Sequence, residues 1–323
     1  MNKIILFLLC FLLGSSFSTF AQGRDREIKI SRQQESPVKT VKVRGKGKIK
    51  NVVFMIGDGM SLAHMYSTWA ANKGKLNLEN CQTVGLAKTY CCDRLITDSG
   101  AAGTALATGH KTRYHAVGVD PEGKPLLTLT DLAAAKSKST GVVVTCRLND
   151  ATPAAFCAHN SDRDQAEELI ADYAGCGVDF IFGGGKRYFC ERKDGRNILE
   201  EMKALGYQTP ENQEQLNAIQ TGKVLAVWAD HDLPRPSVRK EMLTESTMKA
   251  LELLSQNKKG FFLMVEASQI DDYGHANQLD PLVEEILDFD RTIGKVFEWA
   301  AADGETLVVV TADHETGGLT LVG

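Results

Sequence analysis

Side chains that could bind metal ions or act as a nucleophile occur in five short segments of the chain, most of them directly after an apolar run. The segments are Gly57-Asp58-Gly59, Thr97-Asp98-Ser99-Gly100, Asn149-Asp150-Ala151-Thr152, Val265-Glu266 through Asp271 to His275, and Thr311-Ala312-Asp313-His314. Aspartate and histidine are typical zinc ligands, whereas the oxygens of Asp, Thr and Glu favour magnesium. Each segment alone is explained by a turn or a helix cap, but five of them together indicate a site for several divalent cations.

The first two segments each allow two interpretations. The glycines on both sides of Asp58 let the backbone turn tightly and push the carboxylate outward, either as a metal ligand or as a cap in a βα turn. Ser99 precedes a run of Gly and Ala that predicts a helix. The free N–H groups and the positive dipole end of a helix N-terminus suit an anion. The simpler alternative is that Ser99 only caps this helix.

The third segment and the arginine that follows it suit a hard cation and a phosphate group. Asp150 and Thr152 are two residues apart, so both oxygens face one side of an extended segment; the alternative is a turn before Pro153. Arg163 follows, and a guanidinium can hold a phosphate through two hydrogen bonds. The plainer interpretation of Arg163 is a surface arginine between two acids.

The last two segments also follow apolar runs. Glu266 lies at the end of one run, and Asp271 and His275 after it are four residues apart, on one face of a predicted helical turn. Asp313 and His314 follow the final run and suit zinc. A serine at a helix start, an arginine and clustered divalent cations are together typical of phosphoryl transfer.

The elements that must position these residues alternate between short apolar, β-rich runs and longer helical stretches. Strands are predicted at residues 52–56, 83–87, 141–146, 178–182, 224–228, 261–265 and 306–311. Helices are predicted at 238–254 and 281–301, the latter with Asp280 as its N-cap. The alternation predicts one α/β domain over residues 51–323, with a mainly parallel sheet that binds ligands at the carboxyl ends of its strands.

The composition is that of a globular protein with a sizeable core. Of 323 residues, 43% are hydrophobic and 24% are charged, which excludes a disordered or collagen-like chain. The net charge of -4 indicates no basic surface, so nucleic acid is not an expected partner.

The N-terminus predicts export. Residues 1–21 have the pattern of a signal peptide, with Lys3 before an apolar run at 4–13 and with Thr19-Phe20-Ala21 before the cleavage point. This run is shorter than the roughly 20 residues that a bilayer span needs, although an N-terminal anchor is the alternative. No other stretch predicts a membrane span. Residues 22–50 form a predicted basic, polar leader, and the expected location is the periplasm or the medium.

Cysteines support no metal-binding motif of their own. Seven of the eight cysteines remain after removal of residues 1–21, and none is spaced as CxxC. An oxidising compartment permits disulfides, but an odd number leaves at least one thiol without a partner in the chain.

In their order and spacing, these segments resemble those of the alkaline phosphatases, here of the exported bacterial kind. The matching motifs are Gly57-Asp58-Gly59-Met60, Thr97-Asp98-Ser99, Asp150-Ala151-Thr152-Pro153, Glu266 through His275, and Thr311-Ala312-Asp313-His314. The resemblance implies that Ser99 is the nucleophile that becomes transiently phosphorylated and that Arg163 holds the phosphate. It also implies two zinc ions and one magnesium ion. The first zinc would be bound by Asp58, Asp313 and His314, and the second zinc by Asp271 and His275. Magnesium would be bound by Thr152 and Glu266 and, through water, by Asp150.

The resemblance further implies a central sheet between helical layers, a three-layer α/β/α sandwich, in a protein that is usually a homodimer. The implied substrates are small phosphate monoesters of broad range, and the product is inorganic phosphate. Related alternatives are a two-metal hydrolase of phosphodiesters or sulfates, although the Cys-x-Pro-x-Arg motif of sulfatases does not occur, and a non-catalytic phosphate- or metal-binding protein.

Two departures from the family pattern bear on activity. The family supplies another histidine to the second zinc downstream of the Asp-His pair, whereas nothing follows Gly323 in this sequence. We therefore expect a chain that is truncated at its C-terminus, binds the second zinc loosely and has weak or no activity. Asp272 stands where some relatives carry Lys or His, and its charge favours a hard cation.

Overall fold

A computed structural model describes residues 35–42, 45 and 47–321 of the chain. The predicted signal peptide at 1–21 and most of the predicted leader at 22–50 lie outside the described residues. No helix in the described residues is both long enough and apolar enough to span a membrane.

Seven parallel strands form one sheet in the described part of the chain, in the order β4-β5-β3-β2-β6-β1-β7. Their bounds are β1 (Asn51–Gly57), β2 (Ser139–Arg147), β3 (Phe180–Gly184), β4 (Tyr207–Gln208), β5 (Lys223–Val227), β6 (Phe261–Ala267) and β7 (Thr306–Ala312). Six predicted strands are confirmed, each with ends within two residues of the prediction. The prediction of a mainly parallel sheet is confirmed as well.

The predicted strand at 83–87 is wrong. These residues form neither helix nor strand, and the side chains of Val84 and Leu86 are 86% and 95% exposed. Their composition suits a strand, but strand formation depends on cross-strand packing, and no described strand pairs with them. By contrast, β4 has two residues and is too short to produce a sequence pattern.

Helices connect the strands. Their bounds are α1 (Leu62–Ala71), α2 (Ser99–Thr108), α3 (Leu129–Ala135), α4 (Ala151–Ala154), α5 (Ala166–Cys176), α6 (Lys186–Cys190), α7 (Ile198–Ala204), α8 (Gln213–Ala218), α9 (Pro236–Arg239), α10 (Met242–Leu254), α11 (Gln269–His275) and α12 (Leu279–Asp303), and a short 3₁₀ helix spans Asn77–Asn80.

Two predicted helix starts are wrong, each for a local reason. Lys240 has a φ of +57°, in the left-handed region, and separates α9 from α10, so the helix predicted at 238–254 is interrupted. The N-cap of α12 is Gln278 and not Asp280. Pro281 therefore lies inside the first turn, where a proline is accepted because the N–H groups there have no intrahelical partner.

Helices cover both faces of the sheet. On one face, the ring of Trp299 in α12 packs against Phe261 of β6, with centroids 5.7 Å apart. On the other face, Phe156 after α4 packs against Phe54 of β1 and Phe262 of β6, at 6.4 and 6.1 Å. Because both faces are covered, β3 and β6 are buried along their whole length, which explains their continuous apolar runs. The three-layer α/β/α arrangement is therefore confirmed.

Candidate active site

The carboxyl ends of four neighbouring strands carry most of the predicted ligands. Strands β2, β6, β1 and β7 are consecutive and parallel, so their carboxyl ends lie at one edge of the sheet. Asp58 follows β1, Glu266 lies in β6, and Asp313 follows β7. Asp150 and Thr152 follow β2, at the start of α4.

Ser99 lies beside side chains of the kinds that bind zinc in proteins. Its Oγ is 3.0 Å from His314 Nε2 and 3.5 Å from Asp58 Oδ1. His314 Nε2 is in turn 3.2 Å from Asp313 Oδ2 and 3.5 Å from Asp58 Oδ1. Ligand atoms of Asp58, Asp271 and His314 all lie within 4.8 Å of one another. The fold thus brings together side chains from four of the five segments, which are distant in the sequence.

Ser99 is the first residue of α2 and not its cap. The N-cap is Asp98, whose Oδ1 accepts a hydrogen bond of 3.1 Å from Ala101 N. The alternative in which Ser99 only caps the helix is therefore wrong. Its hydroxyl is left at the positive end of the helix dipole, facing the carboxylates and the imidazole.

A second group of oxygens lies on the other side of Asp58. Thr152 Oγ1 donates a hydrogen bond of 3.3 Å to Asp58 Oδ2. Glu266 is fully buried, and neither of its carboxylate oxygens has a hydrogen-bond partner in the described residues. A buried carboxylate without a partner is costly, so these two oxygens are suited to a cation.

The electrostatics of the site also favour cations. Burial raises the pKa of Asp58 well above its usual range, and the nearby Asp313 and Asp271 carboxylates raise it further. Burial likewise raises the pKa of Glu266, followed by the charges of Asp150 and Asp313. Bound divalent cations would reverse both effects, because they favour the ionised form. The carboxylate, hydroxyl and imidazole donors present therefore fit magnesium and zinc.

Arg163 points into this site and is held by two acids. Its Nη1 is 2.9 Å from Asp98 Oδ2, and its Nη2 is 3.1 Å from Asp150 Oδ1. The plainer interpretation of Arg163, a surface arginine between its sequence neighbours, is wrong. One of those neighbours, Asp164, instead contacts His115 Nε2 at 3.1 Å.

Two residues of the predicted second zinc site lie together on α11, and sequence reasoning missed a third residue beside them. His275 Nε2 is 3.4 Å from Asp271 Oδ2, and the His275 side chain is 74% exposed. Thr316 Oγ1 donates a hydrogen bond to Asp271 Oδ1 and lies 3.1 Å from His314 Nδ1. Its only sequence signal was its position two residues after His314.

Gly59 is required by the close approach of three segments. Its φ is +67°, and a Cβ there would lie 2.7 Å from Thr316 Oγ1 and 2.8 Å from Asp271 Oδ1. Its N–H also donates a hydrogen bond of 3.0 Å to Asp313 Oδ1. The second glycine of the Gly57-Asp58-Gly59 segment thus leaves room for the side chains of Thr316 and Asp271.

Comparisons with known proteins agree with this arrangement. The family model described as alkaline phosphatase matches residues 49–323. The chain belongs to the alkaline phosphatase family. This confirms the resemblance seen in the sequence motifs.

Individual alkaline phosphatases are similar over most of the chain. Alkaline phosphatase 4 of Bacillus subtilis (strain 168) is 39% identical over 89% of the chain and 66% of its own length. Alkaline phosphatase of Escherichia coli (strain K12) is 31% identical over 82% of the chain and 70% of its own length. The structure of alkaline phosphatase from the Antarctic bacterium TAB5 superposes with a TM-score of 0.83, at 37% identity, over 85% of this chain and 82% of that one. The chain thus spans about two thirds of the length of these curated relatives.

We expect the stabilisation of this protein by Zn²⁺ and Mg²⁺ to grow with pH. In the metal-free protein, the raised pKa values of Asp58 and Glu266 stabilise the fold at low pH, and this contribution is lost as the pH rises through the folded-state values. Cation binding needs the ionised ligands. Differential scanning calorimetry should therefore show a larger increase in Tm on metal addition at pH 8 than at pH 5.5. At a free cation concentration of 100 Kd, the stabilisation would be about 2.7 kcal/mol.

The variant Asp58→Asn is the control for this measurement, because it removes a carboxylate that faces both groups of oxygens. It should lose most of the metal-dependent increase in Tm at pH 8. An increase that is equal at both pH values would contradict the assignment of these carboxylates as ligands.

Proposed function

We propose that the protein hydrolyses small phosphate monoesters through a phosphoserine formed on Ser99, at a site that holds two zinc ions and one magnesium ion. The observation that supports this most directly is the position of Ser99 at the N-terminus of α2. There its Oγ lies 3.0 Å from His314 Nε2 and 3.5 Å from Asp58 Oδ1. Named alkaline phosphatases among the relatives support the same activity.

The proposed cation ligands are the carboxylate, hydroxyl and imidazole groups at the sheet edge. The first zinc is held by Asp58, Asp313 and His314, and the second zinc by Asp271 and His275. Magnesium is held by Thr152 and Glu266 and, through water, by Asp150. When bound, the cations supply positive charge that lowers the pKa of the attacking hydroxyl and neutralises phosphate oxygens. A mutant of the TAB5 alkaline phosphatase, 36% identical in sequence to this chain, has a solved structure with Mg bound in its M3 site.

The reaction would proceed in two displacements at phosphorus. Ser99 Oγ forms a bond to phosphorus while the bond to the ester oxygen breaks, and the alcohol leaves with a proton. A water oxygen then forms a bond to phosphorus, the Oγ–P bond breaks, and inorganic phosphate is released as Ser99 regains its proton. The positive end of the α2 dipole lies at Ser99 and favours the negative charge of the phosphate in both steps.

Arg163 would select a doubly charged phosphate group. Asp98 and Asp150 each bind one Nη atom of its guanidinium and so fix the plane of the fork. A fixed fork pairs with two oxygens of a monoester, which carries more charge than a diester. We therefore favour monoesters over the phosphodiesterase alternative. We propose a broad substrate range because the residues named here all act on the phosphate group.

We also propose that the protein is exported to the periplasm or the medium and works as a homodimer. The signal-peptide pattern of residues 1–21 supports export, and membership of the family supports the dimer. N-terminal sequencing of the exported protein should begin after Ala21, and light scattering should give twice the mass of one chain.

Ser99→Ala should abolish phosphoserine formation and phosphatase activity without removing the metals. We expect hydrolysis of p-nitrophenyl phosphate to fall by more than about a thousandfold, since loss of a nucleophile leaves only binding and electrostatic effects. Acid quenching followed by peptide mass spectrometry should find a phosphorylated Ser99 peptide only in the unaltered protein. Ser237→Ala, at an exposed serine, is the control. A phosphopeptide at another residue would remove Ser99 from its role.

Arg163→Lys should weaken phosphate binding, because it keeps the charge but loses the fork. The inhibition constant of inorganic phosphate should rise about 10- to 100-fold, since a hydrogen bond to a charged group contributes about 1.5–3 kcal/mol. The ratio of monoester to diester hydrolysis should fall, measured with p-nitrophenyl phosphate and bis(p-nitrophenyl) phosphate. Arg196→Lys, in an exposed pair with Glu201, should change neither quantity. An unchanged inhibition constant in Arg163→Lys would exclude Arg163 as a phosphate ligand.

A further inference from the structure

The ladder between strands β2 and β6 ends at Glu266, before Asp150 and Thr152 on the β2 side. Their ladder runs from Ser139 opposite Phe261 to Val144 opposite Glu266. Asp150 and Thr152 lie beyond its end on the β2 side. Backbone pairing therefore fixes Glu266 against β2 but does not set the position of Asp150 and Thr152 relative to it.

Two hydroxyl side chains join the strands where the ladder ends. Thr145 Oγ1 accepts a hydrogen bond of 2.9 Å from Ser268 N, and Ser268 Oγ accepts one of 3.2 Å from Cys146 N. Each hydroxyl thus takes the place of a backbone carbonyl in a ladder that has ended. Both residues are buried, with exposures of 0% for Thr145 and 6% for Ser268.

A buried network fixes the orientation of the Thr145 hydroxyl. Thr145 Oγ1 donates its proton to Glu285 Oε1 at 3.0 Å, and Arg239 Nη2 donates to the same oxygen at 2.8 Å. The side chains of Glu285 and Arg239 are both fully buried. With its proton committed to Glu285, Thr145 Oγ1 has lone pairs left for Ser268 N. Gln269 Nε2 adds a bond of 3.0 Å to Thr145 O.

We propose that Thr145 is a positioning residue for the magnesium side of the site. Through Ser268 it sets the separation between Glu266 on β6 and the oxygens of Asp150 and Thr152 after β2. Thr145 contacts no reacting atom and is not itself a ligand. The proposal rests on the proposed function, because it takes these oxygens to be magnesium ligands.

The variant Thr145→Val tests this, since it keeps the shape of the side chain and removes only the hydroxyl. Isothermal titration of the zinc-loaded protein with MgCl₂ should show a Kd for Mg²⁺ about 10- to 100-fold higher, the usual effect of removing a partner of a metal ligand. At saturating Mg²⁺, kcat should recover most of its unaltered value. Thr145→Ser restores the hydroxyl and should restore the Mg²⁺ affinity.

Thr244→Val is the matched control. It removes a buried hydroxyl that is 2.8 Å from Thr292 Oγ1, between α10 and α12. Its Tm should fall while its Kd for Mg²⁺ stays within about twofold of the unaltered value. A role of Thr145 in stability alone predicts that both threonine variants behave alike in the Mg²⁺ titration.

Two further variants separate the possible failures. Ser268→Ala removes the bond to Cys146 N together with the interaction of the same hydroxyl with Glu266, and it should also raise the Kd for Mg²⁺; it serves where Thr145→Val does not fold. If Glu266→Gln loses Mg²⁺ affinity while Thr145→Val and Ser268→Ala keep it, the positioning role is refuted and the proposed function stands. If Glu266→Gln keeps full Mg²⁺ affinity, the magnesium site itself is wrong and the positioning role fails with it.

Discussion

Repulsion among acidic side chains at one edge of the sheet is the constraint on which the rest of the structure depends. Asp58, Glu266 and Asp313 are almost completely buried there, and Asp150 and Asp271 lie close enough to shift the pKa of Asp58. This arrangement is unfavourable in itself, because each buried charge raises the free energy needed to bury the next one. The apolar core beneath the edge must therefore supply the free energy that holds the carboxylates together until cations bind.

The backbone of the parallel sheet holds these carboxylates close together despite their repulsion. Neighbouring strands end at the same edge, so Asp58 and Asp313 are brought together by the ladder between β1 and β7. The backbone also contributes donors, since Asp313 Oδ1 accepts hydrogen bonds from Gly59 N and His314 N at 3.0 and 2.9 Å. Arg163 contacts both Asp98 and Asp150, and it offsets part of the negative charge.

Much of this could be predicted from the sequence, because burial on both faces leaves continuous apolar runs, as in β6, and because the proposed ligands lie at or soon after the ends of such runs. The predictions that were wrong and the residues that were missed depend on contacts with residues distant in the sequence. Residues 83–87 have the composition of a strand but lack a described neighbour to pair with. Thr316 contacts Asp271 across 45 positions, and Thr145 contacts Glu285 across 140. A buried threonine has the same local pattern whether its hydroxyl joins two strand ends or only fills the core, so spacing alone could not single out these residues.

The two oxygens of Asp58 make the halves of the site interdependent. Oδ1 lies 3.5 Å from Ser99 Oγ and from His314 Nε2, while Oδ2 accepts a hydrogen bond of 3.3 Å from Thr152 Oγ1. A rotation of this one carboxylate that improves one set of contacts must worsen the other. The separation of β2 and β6, which Thr145 would set, thus bears on the proposed nucleophile as well as on the proposed magnesium site. Strand β1 lies between β6, which carries Glu266, and β7, which precedes Asp313, so the carboxylate that follows β1 can reach both groups of side chains.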